Sequence, residues 1–448
     1  MLMESIDTTS LNTSLPQIAY SLGEDPIHLK LALTSYLLSL GVFIPISGWM
    51  ADRFGAKRIF ILAMAIFTLS SMGCGQAQTL WQLVSMRILQ GLGGAMMTPV
   101  GRLILLRVFE KAELAEMWTR MGMMILMGPL IGPSLGGFLT EYLSWRWIFY
   151  VNVPLGIIGI FLLHNYLTLD FPLLKKRFDF LGFVLCGAGL ALLLFACQEF
   201  MSDQFSIQLK LGLLALALLL LAAYCLYARF REYPVVNLNL FKIRVFRIAV
   251  IGGTISRFGS GAMPFLLPLL FQLGFGYSPL QSGLMLLPMA VGQLTVKSIV
   301  KYLLQRYGFR KAVLWNTILL SLVSLQFSWL DSGTSPLILI ILLFLYGSLS
   351  SMQFSNMNLL AYADMPAPLM SDTTSLYSAI QQIGVSFGIA IAAIILEFYL
   401  GSHELIRVIP VAYFHKTFLF VSLLIMSAAW IFSKLEAQDG AAVSGHQI

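Results

Sequence analysis

The sequence predicts an all-α protein that crosses a membrane many times. Three observations carry that prediction. Of the 448 residues, 58% are hydrophobic and only 11% charged, against about 25% charged in soluble domains. Apolar runs of about 20 residues, the length a helix needs to span a ~30 Å hydrocarbon layer, recur along the whole chain. The runs are continuous rather than alternating in polarity, which argues against a transmembrane β-barrel.

The elements follow in order. Residues 1–19 hold Glu4 and Asp7 ahead of a short apolar stretch. Spans are expected at 29–51 and 58–76, on either side of the basic turn GWMADRFGAKR, Gly48 to Arg58. The next, 81–106, carries a charge in its interior, and 118–140 is rich in glycine and proline. The span 145–167 opens with WRWIFYVNVPLG, and 180–198 and 207–229 are nearly uncharged. Spans at 246–273, 280–304 and 311–330 follow, the last two flanking KYLLQRYGFRK, Lys301 to Lys311. Those at 335–362, 373–399 and 412–433 complete the set, leaving 435–448 as a polar tail. No cleavable signal peptide is visible at the amino terminus.

The net charge of +7 does not point to nucleic acid, because its distribution follows the membrane. If residues 1–19 make one crossing, the connections alternate sides. One side then holds Arg53, Lys57, Arg58, Arg107, Lys111, Arg120, Lys175, Lys176, Arg177, Arg229, Arg231, Lys242, Arg244, Arg247, Lys297, Lys301, Arg306, Arg310, Lys311 and Lys434. The other holds only Lys30, Arg146, Lys210, Arg407 and Lys416. Positive residues stay inside, so both termini and the 52–58 turn are expected in the cytoplasm. Cys74, Cys186, Cys197 and Cys225 fall in or beside apolar spans without metal-ligand spacing, and read as packing residues. The five histidines form no metal or triad pattern. No cofactor is expected, and no catalytic constellation appears in the sequence.

The two basic turns align without gaps. Arg53 meets Arg306, Gly55 meets Gly308, Lys57 meets Arg310 and Arg58 meets Lys311, while Asp52 meets Gln305. Matching turns in two halves suggest duplicated six-helix bundles, although short basic turns also recur by chance. The predicted division is 1–167 and 246–434 for the bundles, with 180–229 as two inserted helices.

Two further stretches carry more than packing. In LVSMRILQGLGGAMM, Arg87 stands inside an apolar helix, where a charge costs on the order of 2.5–3.5 kcal/mol by insertion scales. Arg87, Gln90, Gly91 and Gly94 are spaced i, i+3, i+4, i+7 and share one face. Its GLGG is not a dinucleotide turn, because no strand precedes it. In GMMILMGPLIGPSLGG, Gly128, Gly132 and Gly136 form overlapping small-xxx-small steps. Pro129 and Pro133 each remove a backbone donor there, so bending and pure packing are both open roles for this helix.

Together the turn, LxxxRxxQGxGG and GxxxGPxxGPxxGG resemble the signature set of the major facilitator superfamily. With WRWIFYVNVPLG and IDTTSLNTSLP, the chain resembles its 14-helix drug:proton antiporter branch over nearly its whole length. The resemblance implies the major facilitator fold: two six-helix bundles plus two inserted helices. It implies a monomer of the bacterial cytoplasmic membrane that exports amphipathic small molecules in exchange for protons. Gly48, Asp52, Arg53, Gly55, Lys57 and Arg58 would form a cytoplasmic gating turn, with Asp52 pairing to basic groups or a helix N-terminus. Gln305 cannot do so as an anion, which makes the second half the weaker latch.

In the same resemblance Asp7 is the acid in the middle of the first helix, with Arg87 beside it. Glu4 stands i, i+3 from it, and is either part of the proton site or a solvated terminal residue. Gly128, Pro129, Gly132, Pro133, Gly136 and Gly137 would form the interface between bundles. Asn12, Gln90, Arg257, Asn358, Gln381 and Gln382 are candidates for the pathway, though interhelical hydrogen bonding is the commoner fate of such amides. Export of a metabolite or siderophore is a second reading, and a non-transporting sensor or scaffold a third. Finally, a helix ending near Ala19 rises only about 28 Å from Met1, and only six residues precede Asp7. The resemblance implies a first helix with roughly another 20 residues upstream, so the first helix is expected to lack its front half.

Overall fold

In hydrocarbon every backbone polar group must be satisfied within its own segment, and the chain meets this with helices. The computed structural model describes residues 2–24, 26–110, 113–167, 177–199, 206–400 and 410–444. No strand occurs among the described residues. The first part of the chain forms α1 (Leu2–Leu22), α2 (Pro26–Phe43), α3 (Ser47–Phe54), α4 (Ala56–Gln76), α5 (Leu80–Val108), α6 (Leu114–Tyr142), α7 (Trp147–Tyr150) and α8 (Asn152–Tyr166). The helices α9 (Phe180–Glu199) and α10 (Ile207–Ala228) follow. Then come α11 (Arg244–Ser260), α12 (Met263–Leu269), α13 (Pro279–Met285), α14 (Leu287–Thr295), α15 (Lys297–Gln326), α16 (Pro336–Ala363), α17 (Met370–Leu400), α18 (Val411–Phe432) and α19 (Ala441–Ser444).

Ten stretches among the described residues are long and apolar enough to cross a membrane. Two expected spans, 246–273 and 280–304, are broken instead of continuous. Pro264 and Pro268 fall where α11 gives way to α12 and a wide π-type turn, Leu270–Gly274. Pro279 and Pro288 stand in the first turns of α13 and α14. Proline lacks a donor and clashes with the preceding turn, so each begins a helix more readily than it continues one. Ser278 and Gln281 close a capping box at the start of α13, satisfying two end donors reciprocally.

The paired turns share their backbone. Gly55 ends α3 with φ 94°, and Gly308 lies within α15 at φ 67°. Both are left-handed conformations open to glycine at little cost, which lets each chain reverse tightly at the membrane face.

Helix α1 packs on α6, α2 on α5, and α4 on both α5 and α8. In the later part, α11 packs on α16, α17 and α18, while α15 packs on α16 and α18. The α9–α10 pair leans through α9 on α2 and α17. Lipid supplies no hydrophobic drive for these contacts, so small residues and interhelical hydrogen bonds do more of the work. Gly93 lets α5 approach the backbone of α4 at Ala63 and Phe67. Gly91 lies against Tyr36 and Ser39 of α2, whose Ser39 hydroxyl donates to the Ile88 carbonyl at 2.7 Å. Large apolar side chains such as Leu69, Trp81, Leu219 and Leu226 face outward, where lipid covers them.

Polar contacts between the two sets of helices gather near the basic turns. Ser375 of α17 accepts from the Gly48 amide at 2.7 Å and meets the Ser47 hydroxyl at 3.0 Å. Lys301 of α15 pairs with Glu116 of α6 at 3.2 Å. One charge departs from the sequence expectation. Lys297, counted above among the loop cations, is only 2% exposed and donates to the Ser355 hydroxyl at 2.5 Å. The break between α14 and α15 sets it inside the helix packing rather than at the surface.

Candidate functional site

The most concentrated polar cluster begins on α1. Asp7 and Arg87 are both 0% exposed and form an ion pair of 2.6 Å. Gln90, one turn along α5, donates to the other Asp7 oxygen at 2.9 Å and to the Ser71 hydroxyl of α4 at 2.8 Å. Its own carbonyl accepts from Arg87 at 2.6 Å. Asn152, at the start of α8, donates to Asp7 Oδ1 at 2.9 Å. The guanidinium also donates through Nε to the Ala32 carbonyl at 3.3 Å and lies 4.3 Å over the Tyr36 ring. Two helices, α5 and α8, thus donate to one carboxylate of α1, and α2 and α4 hold the donors. The i, i+3 spacing of Arg87 and Gln90 makes this possible, because both project from one face of α5.

Glu4 takes a different neighbour. Its carboxylate accepts from the Thr98 hydroxyl at 2.7 Å, two turns and more along α5 from Gln90. The two acids of α1 therefore face separate partners on the same helix. Of Asn12 only the helical backbone is described; its side chain, like those of Pro129 and Pro133, lies outside the described residues.

The glycine-rich helix α6 seats α1. Thr9 donates to the Gly128 carbonyl at 3.2 Å, Ser10 to Gly132 at 2.8 Å and Ser14 to Gly136 at 3.4 Å. A Cβ at Gly128 or Gly132 would collide with Ser5 or Thr9. The sequence expectation put this face between the two bundles; the hydroxyl-bearing face of α1 occupies it instead. Gly137 is a further difference, since a Cβ there meets open space. Contacts of α6 with the later helices come from other residues, such as Gly122 against Lys297.

At the basic turn, Asp52 is 3% exposed. It pairs with Arg107 of α5 at 3.1 Å and accepts from the Ser371 hydroxyl, in the first turn of α17, at 2.6 Å. A carboxylate at the start of a 31-residue helix also meets the positive end of its dipole. A side chain at Gly48 would strike the Ser371 carbonyl and the Ser375 hydroxyl. Lys57 donates to the His164 carbonyl at 2.9 Å, whereas Arg53 and Arg58 are exposed. The matching position in the second half, Gln305, is exposed too. There the seam is bridged by Glu116, whose carboxyl is held below the usual range by its bonds to Lys301 and Arg120.

Arg257, Asn358 and Gln381 are buried between α11, α16 and α17. Gln381 donates to Asn358 at 2.9 Å and accepts from Arg102 of α5 at 2.6 Å. Gln382 is half-buried and stands apart from this chain. Sequence reasoning missed Arg102, Thr98, Ser71 and Asn152. Arg102 was a second charge inside an apolar span, and Asn152 a lone amide within WRWIFYVNVPLG; both were visible signals.

Comparison with known proteins agrees with this architecture. Residues 1–389 match the profile described as Major Facilitator Superfamily. A protein of Klebsiella pneumoniae is 40% identical over 446 residues, 98% of this chain and 93% of that protein. One of Pectobacterium atrosepticum is 40% identical over 405 residues, 90% of this chain and 86% of that one. One of Escherichia coli is 39% identical over 438 residues, 97% and 92% of the two. All three carry the name "Putative multidrug resistance protein MdtD". The human organic anion transporter MFSD10 superposes with TM-score 0.66 at 15% identity, covering 96% of each chain. The proton:xylose symporter XylE does so with TM-score 0.63 at 13% identity, covering 98% of this chain and 94% of that one. At these identities the two structures speak to the fold alone.

Proposed function

For this chain, which belongs to the Major Facilitator Superfamily and is a multi-pass membrane transporter rather than an enzyme, we propose proton-driven export of amphipathic small molecules. The multidrug resistance in the name of its bacterial relatives supports drug-like cargo. The observation that carries proton coupling is the buried pair of Asp7 and Arg87 with its two amide donors. A carboxylate deep in a membrane helix is a functional-site candidate by default.

The reading assigns residues 1–167 and 246–434 to two six-helix bundles and 180–229 to two inserted helices, with 435–448 as a tail. Both termini lie in the cytoplasm of a bacterial cell, and the protein works as a monomer. Substrate binds between the bundles, and the cytoplasmic side is held shut by Asp52 against α17 and by Glu116 against Lys301. Protonation of Asp7 removes the charge that Arg87 answers. The freed guanidinium then changes which helix arrangement is favoured, and deprotonation restores the pair. Each inward proton is driven by about 2.3 kcal/mol per 100 mV, so coupling needs no other energy source.

The test is substrate-induced proton release from proteoliposomes holding the native protein or Asp7→Asn. Release is expected from the native protein and none from the variant. Unchanged proton release in Asp7→Asn would sink the assignment.

A further inference from the structure

Outside the Asp7 cluster, the interior holds positive charge that neutral groups answer. Arg102 is 5% exposed, Arg257 8% and Lys297 2%. Arg102 donates to the amide oxygen of Gln381 at 2.6 Å and to the Ser378 hydroxyl at 3.4 Å. Arg257 donates to the Tyr377 hydroxyl at 2.9 Å, and Lys297 to that of Ser355. Among the described residues, no carboxylate forms an ion pair with any of the three. Glu4, already bonded to Thr98, reaches Arg102 only as a more distant charge. Buried charges are normally paired, because desolvation is costly without an opposite charge. Here Nη1 of Arg257 and Nε of Arg102 are buried with no hydrogen-bond partner at all.

The three cations converge on one stripe of α16. Ser355 meets Lys297, Asn358 leads through Gln381 to Arg102, and Tyr362 touches Trp118 and Tyr377, the rings that Arg102 and Arg257 cover. These positions are i, i+3 and i+7, one face of a helix. The rings beside them are continuous. Trp118 stacks on Tyr362 at 5.9 Å, Tyr362 meets Tyr377 edge-on at 5.6 Å, and the guanidiniums cover Trp118 and Tyr377. The group also crosses the seam, with Arg102 and Trp118 on the early helices and the rest on the later ones.

We propose that this stripe binds the anionic group of an aromatic, amphipathic substrate. A carboxylate, sulfonate or phosphate ester takes the free donors of Arg257 and replaces the neutral oxygen of Gln381 at Arg102. The substrate rings lie against Trp118, Tyr362 and Tyr377. When the seam is closed, as here, Gln381 and Tyr377 stand in for the anion. When the halves part, Gln381 separates from Arg102 and the site opens, while Tyr377 stays beside Arg257 on the later helices. The inference rests on the transport reading for its setting, but its test uses binding alone.

The protein in lipid nanodiscs is titrated with fluorescein, an aromatic carboxylate, and with ethidium, an aromatic cation, at one ionic strength. Fluorescein is expected to bind in preference. Arg257→Gln and Arg102→Gln should each weaken it by about tenfold or more, the scale of a lost charge-assisted contact, while leaving ethidium unchanged. Melting in the same nanodiscs separates this from misfolding, since removing an unpaired buried charge should not lower stability. Tyr377→Phe, which keeps the charge, should change fluorescein affinity less than threefold. Preference for ethidium, no fluorescein binding, or equal fluorescein binding in the glutamine variants overturns the proposal. So does a lower melting temperature in Arg257→Gln that Arg257→Lys restores without any change in binding. A failure of proton release in vesicles would leave these affinities untouched, so the two readings fail separately.

Discussion

The Asp7–Arg87 pair should behave as one unit, and a double-mutant cycle measures this. At an effective dielectric of about 20, unit charges 2.6 Å apart attract by about 6 kcal/mol. Desolvation offsets most of that gain, so the pair as a whole adds little against an uncharged replacement. Removing one partner is different, because it strands the other charge in a fully buried site. Asp7→Asn should therefore cost about 3–5 kcal/mol, since Arg87 is left with neutral acceptors alone, the Ala32 carbonyl, Gln90 and the amide oxygen at position 7. Arg87→Gln should fall at the lower end of that range, because Gln90 and Asn152 still donate to Asp7. The double variant should lose less than either single one. Reversible unfolding in mixed micelles gives the three differences, and a coupling of more than about 3 kcal/mol is expected. Single effects that add to within about 0.5 kcal/mol would refute the buried-pair argument.

The glycine face of α6 allows a contrast within one helix. Gly132→Ala should cost about 1–3 kcal/mol, the scale of overpacking, because the new methyl meets Thr9. Gly137→Ala should be neutral or stabilising by about 0.5–1 kcal/mol, since nothing lies within 4 Å of its Cβ; melting of both variants checks the pair. Glu116 offers a pH test. Its lowered carboxyl means the Lys301 and Arg120 contacts are present above the usual glutamate value and are lost as pH falls through the lowered one. A carbon-13 NMR titration of labelled glutamate should show a midpoint below that of an ordinary glutamate, which Lys301→Gln moves upward.

Much of the architecture was legible because hydrocarbon imposes a simple rule. Long apolar runs become helices. The breaks at α12 and α14 were harder to read. Each needs Pro264, Pro268 or Pro288 to act within an otherwise spanning run, and many membrane helices tolerate proline. The polar site was half legible. Arg87 and Gln90 shared a face by spacing, whereas Asp7 was assigned only through the family resemblance of IDTTSLNTSLP, its own neighbours being mostly polar. Asn152 was visible as a lone amide but its target was not, and Ser71 was not identified because a single hydroxyl in a helix carries no sequence signal of its partner.

Some of this protein was determined by its sequence alone. Composition and run length settle that it crosses a membrane by helices, since no other use of so apolar a chain satisfies its backbone. The charge at Arg87 and the small steps at Gly128 and Gly132 were equally plain. What the sequence could not decide was which surfaces meet. Only the tertiary structure assigned the glycine face of α6 to α1, turned Lys297 inward and left Arg257 without an acid. Those outcomes depend on partners tens to more than a hundred residues away in the chain, and local spacing carries no record of them.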